Sequence, residues 1–366
     1  MQRTIPPFRA DHVGSLLRSA PLKEARAQRE RGEIDDETLR SVEDIEIQKI
    51  VAKQEAVGLK SVTDGEYRRA FWHYDFLAGL DGVEWTEVES AVQFKGAALK
   101  PKGIKVTGKL GFSDHPMLDH YRYLRSITSA AAKMTIPAPS ALHYRGGRPM
   151  IDMDLYPDMD VFFADLANAY RGAVRGFADI GCRYLQMDEV YIAYLCDEEQ
   201  RGYLRGRGDD PEKLLGVYAN LIDTAVAGRP ADMVVTMHLC RGNFRSTWMA
   251  QGGYDRVADV LFNQIGVNAY FMEYDTDRAG GFEPLRFCPP DKQVVLGLVT
   301  SKTGTLESKD EIKRRLDEAS RFVPLEQICL SPQCGFASTE EGNTLAEDEQ
   351  WAKLRMIVEL ADEVWG

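Results

Sequence analysis

Short apolar runs alternate along this chain with longer segments whose apolar positions recur at helical spacing. Eight runs read as strands: residues 10–16 (ADHVGSL), 61–67 (SVTDGEY), 133–138 (KMTIPA), 183–190 (RYLQMDEV), 233–243 (MVVTMHLCRGN), 267–274 (VNAYFMEY), 293–302 (QVVLGLVTSK) and 327–336 (QICLSPQCGF). Helices are expected near 20–31 and over 36–58, where Ile45, Ile47, Ile50, Val51 and Val57 lie among charges and Gly58 marks a stop. Val161, Leu166, Tyr170, Val174 and Phe177 recur at helical spacing over 158–179. Asp210-Pro211 opens a helix running to about 227, and a terminal helix over about 345–364 carries Trp351, Leu354, Ile357, Val358 and Leu360.

Sequential strand–helix alternation favours a parallel sheet. Eight units suggest an α/β fold of the closed (β/α)8 TIM-barrel type, whose active site gathers at the C-terminal ends of the strands. Residues 80–111 break the rhythm: polar and apolar positions alternate between Gly and Lys-Pro punctuation, as in an antiparallel excursion of two or three strands. That stretch is too long for an ordinary connection and is read as a functional lid or a dimer contact. The whole chain, 1–366, is taken as a single catalytic domain with this insertion after the second strand, since α/β barrels commonly exceed 250 residues as one domain.

Composition narrows the partners. The chain is 44% hydrophobic and 28% charged, as ordinary globular proteins are, and its formal net charge of −12 argues against nucleic acid or an anionic membrane as the main partner. Six Cys at no compact spacing point to reduced thiols and a cytoplasmic protein. The N-terminus lacks the apolar core of a signal peptide. No apolar run approaches the ~20 residues of a membrane span.

The chemistry-bearing residues cluster at the expected strand ends. His238 and Cys240 are two apart in an extended run, so their side chains share one side. Cys334 follows the eighth run, and two sulfurs with one imidazole select zinc over hard cations. Glu273 ends the sixth run among apolar residues, where a bare carboxylate is costly, and could be a fourth ligand. Three firm ligands and one replaceable position are typical of a catalytic zinc site. Gly14, with Val13 and Ser15, would let backbone approach a ligand closely. Asp64 and Glu66 close the second run, where a carboxylate could hold a substrate ammonium or merely cap a turn. Asp188 and Glu189 close the fourth, with a helix cap as the competing use of Asp188. Lys302 ends the seventh.

Together these residues carry a family resemblance. VGS at 13–15, TDGE at 63–66, LQMDE at 185–189, His-x-Cys at 238–240, Glu273 and SPQCGF at 331–336 follow one another as in cobalamin-independent methionine synthase, in its C-terminal catalytic barrel and its short single-barrel relatives. The resemblance implies a zinc-dependent methyltransferase that activates a thiol, with His238, Cys240, Glu273 and Cys334 matching the zinc ligands. It implies that Ser15, Glu66 and Asp188 hold homocysteine, Glu66 and Asp188 at the ammonium and the backbone near Gly14-Ser15 at the carboxylate. The thiolate would take a methyl group from methyltetrahydrofolate or another methyl carrier, and a poor amine leaving group would need a general acid.

Two departures stand out. The additional N-terminal barrel of the full-length synthase, which helps bind polyglutamylated folate, has no counterpart in this chain. The seventh run ends in TSKTGTLES, with Lys302 where the synthase has a His motif, so Lys302 is a candidate partner for an anionic donor or a substrate carboxylate. Two other classes stay open: an alkyltransferase that opens epoxides with coenzyme M thiolate, and a non-catalytic zinc- or thiol-binding protein. The acidic pair Glu66 and Asp188 argues against the last, because metal storage needs no ammonium clamp. The partners expected are a small-molecule thiol and a methyl donor, and a homo-oligomer is left open.

Overall fold

The computed structural model describes residues 2–87, 93–94, 97–98 and 102–366. Its strands, in chain order, are β1 (Ser61–Val62), β2 (Asp81–Glu87), β3 (Gln93–Phe94), β4 (Ala97–Ala98), β5 (Lys102–Gly111), β6 (Ala131–Ala132), β7 (Met134–Pro137), β8 (Tyr184–Asp188), β9 (Val234–Leu239), β10 (Ala269–Glu273), β11 (Gln293–Val299) and β12 (Ile328–Pro332). Strands β7 to β12 form one parallel sheet in sequential order, and β1 pairs with β6 in parallel. Lys133 separates β6 from β7 and donates its backbone N–H to Val62 at 2.9 Å, which carries the order on to β1. At the other edge Ala10 bridges Leu330.

The result is a mixed α/β fold with a parallel sheet, but a closed barrel is not shown. The expected first and second strands are where it falls short, and local chemistry explains both. The first shrinks to the bridge at Ala10. Beyond it the Asp11 carboxylate accepts hydrogen bonds from Phe8 and His12 N–H, Ser61 Oγ and Tyr184 OH, so side-chain bonds stand where ladder bonds would. Gly14 then takes φ +139°, and a Cβ there would meet Thr135 Cγ2 at 2.6 Å. The second strand stops at Val62 because Asp64 accepts a hydrogen bond from its own neighbour, Glu66 N–H at 2.9 Å, and Gly65 and Glu66 turn with φ +67° and +59°. That is the Asx-turn chemistry of Asp. The two segments touch through Thr63 Oγ1 to Gly14 O (2.6 Å) and Leu16 N to Gly65 O (3.1 Å), without a ladder among the described residues.

The remaining elements follow the sequence pattern, except that Ile45 and Val161, read there as part of the apolar faces, are exposed, and Phe162 takes the core position beside Val161. Helices span Ala20–Glu30, Asp36–Val57, Met159–Asp179, Pro211–Val226 and Glu347–Trp365. Phe162, Leu166, Tyr170, Val174 and Phe177 of one of these pack with Leu185, Met187, Val235, Met237, Val294 and Leu296 from the sheet in the main core. On the sheet's other side Val13, Phe271, Val295 and Cys329 form a separate small core, so the strands are buried on both faces. In the excursion, β2 and β5 pair antiparallel and β3 pairs with β4. Residues 88–92, 95–96 and 99–101 of that expectation lie outside the described residues. Val83, Ile104, Val106 and Leu110 bury β2 and β5 into the main core.

The Asp36–Val57 helix supplies one stability test. Asp35 caps its start by accepting from Thr38 N–H at 2.8 Å, and Gly58 ends it in the left-handed region at φ +98°. A Cβ at Gly58 would lie 3.2 Å from Val358 Cγ1. Gly58→Ala is expected to cost about 1–2 kcal/mol, the penalty of a left-handed non-glycine residue. In urea unfolding the midpoint should fall while the slope stays unchanged; an unaltered midpoint would refute it.

Candidate functional site

The ends of the parallel strands bring His238, Cys240, Cys334 and Asp188 to one place. Asp188 and His238 are register partners on β8 and β9, and the two residues after β9 include Cys240. Cys334 lies two residues beyond β12. The loop after β12 is stapled to its neighbours: Phe336 N–H donates to Ser15 O at 2.9 Å, Ala337 N–H to Ser15 Oγ at 3.3 Å, and Asn243 Nδ2 to Gly335 O at 2.9 Å. These bonds hold the loops after β9 and β12 together. The ligand atoms of His238, Cys240 and Cys334 all lie within 4.8 Å of one another, and all three residues are buried. One nitrogen and two sulfurs at that spacing could hold a metal ion.

The electrostatics of the trio fit such a role. Cys240 hydrogen-bonds Cys334, and that bond and His238 hold the Cys334 thiol far below its usual range despite burial. The same Cys334 bond, together with burial, pushes Cys240 up. Burial works against a charged His238, but Asp188 and Cys334 outweigh it and raise the imidazole to about 10. The two shifts run in the directions that favour a thiolate at Cys334 beside a protonated His238. His238 Nδ1 stands 3.3 Å from Asp188 Oδ1, which also accepts from Gln186 Nε2 at 2.7 Å. Carboxylate partners of this kind orient metal-bound histidines.

A cavity opens beside the trio. Val13, Ser15, Glu66 and Asp188 line it together with His238, Cys240 and Cys334. Glu66 enters through its left-handed backbone rather than from a strand. Its Oε1 accepts from Thr135 Oγ1 at 2.9 Å and lies 3.5 Å from Arg69 Nη1, while its buried Oε2 has no hydrogen-bond partner among the described residues. Burial raises Glu66 to about 7; Asp188 adds to the rise, and Arg69 and Arg18 oppose it. Glu189 points elsewhere, capping the Tyr191–Tyr194 turn by accepting from the Tyr191 and Ile192 N–H groups at 2.7 and 2.8 Å.

Glu273 and Lys302 stand outside the tight cluster of ligand atoms, but Glu273 acts on Cys240 and Lys302 on Cys334 through their charges. Glu273 Oε2 accepts from Arg241 N–H at 2.8 Å and Oε1 pairs with Arg278. Burial opposes its charge, but Lys302, Arg241 and Arg278 hold its carboxyl at about 2. Lys302 Nζ is buried 4.0 Å from Glu273 Oε1 and 3.8 Å from Asp275 Oδ2 and does not line the cavity. Sequence reasoning passed over Asp275 and Arg278, which follow Glu273 directly in YDTDR. It also passed over Arg145, Tyr194, Asn243 and Ser338, and left Trp72 unassigned; all five line the cavity. Asn243 closes the His-x-Cys stretch itself, and Arg145 lies in the short helix Ser140–Gly146 just after β7, so position alone could have flagged both.

Comparison with known proteins accords with this geometry. A family model described as cobalamin-independent synthase, catalytic domain, matches residues 8–363. The uncharacterized protein YxjG of Bacillus subtilis is 53% identical over 368 residues, covering 100% of this chain and 97% of its own length. The 5-methyltetrahydropteroyltriglutamate-homocysteine methyltransferase of Thermotoga petrophila is 22% identical over 364 residues, covering 98% of this chain but 45% of that protein. A candidate vitamin-B12 independent methionine synthase from Listeria monocytogenes, solved as a crystal structure, has a TM-score of 0.81 and 43% identity, with 100% of both chains covered. Among the described residues no helix is long and apolar enough to cross a membrane.

Proposed function

The chain belongs to the family of the cobalamin-independent synthase catalytic domain, and from that premise we propose that it is a zinc-dependent methyltransferase whose methyl acceptor is the thiol of homocysteine. The observation that carries the reading is the buried His238, Cys240 and Cys334 trio at the wall of a cavity that also contains two carboxylates. The donor set fits zinc: two thiolates and an imidazole match its borderline-soft character. His238, Cys240 and Cys334 would hold the ion, with Glu273 as the fourth donor once it turns from Arg278. A bound Zn²⁺ would deprotonate the substrate thiol and keep it nucleophilic at neutral pH.

The chain's own residues would do the rest. Glu66 and Asp188 take the ammonium of the amino acid, and the backbone around Gly14 and Ser15 takes its carboxylate. Asp188 at the same time steadies His238. Val190 and Tyr194 line the cavity. Lys302 acts through Glu273 rather than on the substrate, by holding that carboxylate charged. In the transfer an S–CH₃ bond forms as the donor–CH₃ bond breaks, its electron pair leaves with the donor, and the thiol proton is released. The donor is methyltetrahydrofolate or another methyl carrier. The carboxylate pair favours an amino-acid thiol over a sulfonate-bearing one. We read the chain as one catalytic domain in which the sheet continues through residues 10–16 and β1 as a (β/α)8 barrel.

Product analysis tests the reading: zinc-loaded protein, homocysteine and a methyl donor should yield methionine. Homocysteine binding carries a pH signature as well. Glu66 must be ionised to pair with the ammonium, and its raised value of about 7 puts the anion in the majority only above that pH. Homocysteine KM should therefore rise as pH falls below 7, approaching tenfold per pH unit for a single group. In Glu66→Gln that limb should vanish while KM is high throughout. An identical limb in the variant would remove Glu66 from the site.

A further inference from the structure

One wall of the cavity carries a charge that the acceptor does not use. Arg145 lines it, donates from Nε to Tyr191 OH at 2.8 Å, and lies over the Tyr191 ring at 5.5 Å. Tyr191 is in turn stacked on Tyr144 at 4.5 Å, so the guanidinium is held from behind. Nη1 and Nη2 make no hydrogen bond among the described residues, and no carboxylate among them pairs with Arg145. A guanidinium stays charged at any accessible pH and presents a fork that matches carboxylates. Trp72 lines the same cavity, its ring stacked on His73 at 4.6 Å. An indole face is the best aromatic partner for a methylated cation.

Proton supply limits the second reactant further. An amine leaving as its anion needs a general acid. On the reading above, Glu66 and Asp188 are engaged by the ammonium, and His238, Cys240 and Cys334 by the metal. Lys302 faces Glu273 and Asp275 instead of the cavity. Arg145 cannot give up a proton, and Tyr194 is a phenol, a weak acid at neutral pH. A donor that leaves as a neutral molecule needs no proton.

We propose that Arg145 anchors the second reactant, and that this reactant is a compact methylated onium compound carrying a carboxylate a few bonds from the methylated centre. Its carboxylate sits on Arg145 and its cationic centre against Trp72. The thiolate sulfur of homocysteine bonds to the methyl carbon, the S⁺–CH₃ bond of the donor breaks, and its electron pair stays on the departing sulfur. The products are methionine, a neutral thioether centre and the proton released from the thiol.

The proposal rests on the thiol-methyltransferase reading, and the experiment separates the two. (2-Carboxyethyl)dimethylsulfonium serves as the carboxylate-bearing probe and trimethylsulfonium as its carboxylate-free control. Equilibrium dialysis without homocysteine gives binding, and methionine formation by the zinc-loaded protein gives turnover. Expected is methionine from the carboxylate-bearing sulfonium. Arg145→Met should weaken binding and raise KM for that probe about tenfold or more, leave trimethylsulfonium and homocysteine KM unchanged, and be partly rescued by Arg145→Lys. Turnover with methyltetrahydrofolate but neither sulfonium would overturn the proposal, as would an Arg145→Met defect confined to homocysteine. Homocysteine binding without turnover of either sulfonium overturns the donor assignment alone; failure to bind homocysteine overturns the underlying reading.

Discussion

Cys334→Ser protein is expected to purify without metal, whereas the wild type carries one zinc per chain, and its methyl transfer should fall to the uncatalysed background. The substitution nearly preserves volume at a buried position but replaces a soft thiolate with a hydroxyl that does not ionise near neutral pH. Losing only a hydrogen-bond partner of a metal ligand typically costs about 10–100-fold in metal affinity; losing the ligand itself should cost more. Cys334 also shapes its neighbours: it raises His238 and is hydrogen-bonded by Cys240, so its loss also removes part of what keeps His238 raised. Metal analysis and X-ray absorption at the zinc edge read this directly. Adding homocysteine to the wild type should introduce one further sulfur ligand. Cys196→Ser, in a half-buried loop outside the trio, should keep its zinc. Wild-type zinc content in Cys334→Ser, or none in reduced wild type, would sink the metal assignment.

Much of this site was legible in the chain because strand periodicity is rigid. Six of the eight expected strands appear as the parallel sheet β7–β12, and their C-terminal ends put His238, Cys240, Asp188 and Cys334 together, as the pattern implies. Where side chains replace ladder bonds, periodicity misleads. Asp11 and Asp64 spend their carboxylates on nearby donors, so the stretches around them bend where alternation suggests strand. Glu66 still reaches the cavity, through a backbone turn that no apolar pattern encodes. Charge partners were the other blind spot. Glu273 reads as a ligand by position, yet Arg278 and the Arg241 N–H compete for it, and the sequence gives no distance between them. Arg145 takes its meaning from its surroundings: among the described residues its terminal nitrogens have no hydrogen-bond partner, which no residue pattern encodes.

Asp188→Asn separates the two jobs assigned to one carboxylate. The amide keeps the shape, and its oxygen can still accept from Gln186 Nε2. It lacks the charge that pairs with an ammonium, and charge-assisted hydrogen bonds are roughly twice as strong as neutral ones. Homocysteine KM should therefore rise at least about tenfold. The same change weakens the hold on His238 Nδ1, so zinc affinity should drop by about 10–100-fold, the usual cost of removing a carboxylate behind a metal-bound imidazole. A third effect distinguishes this account from general damage. Asp188 raises Glu66 by like-charge repulsion. Neutralising it lowers the Glu66 value, so the carboxylate forms at lower pH and the acid limb of the homocysteine KM profile should move below pH 7. A loosened site would also rehydrate Glu66 and lower its value, so the shift is read in variant protein whose urea unfolding midpoint matches the wild type. Unchanged zinc affinity together with an unmoved limb would show that Asp188 touches neither His238 nor Glu66 in any way that matters to function.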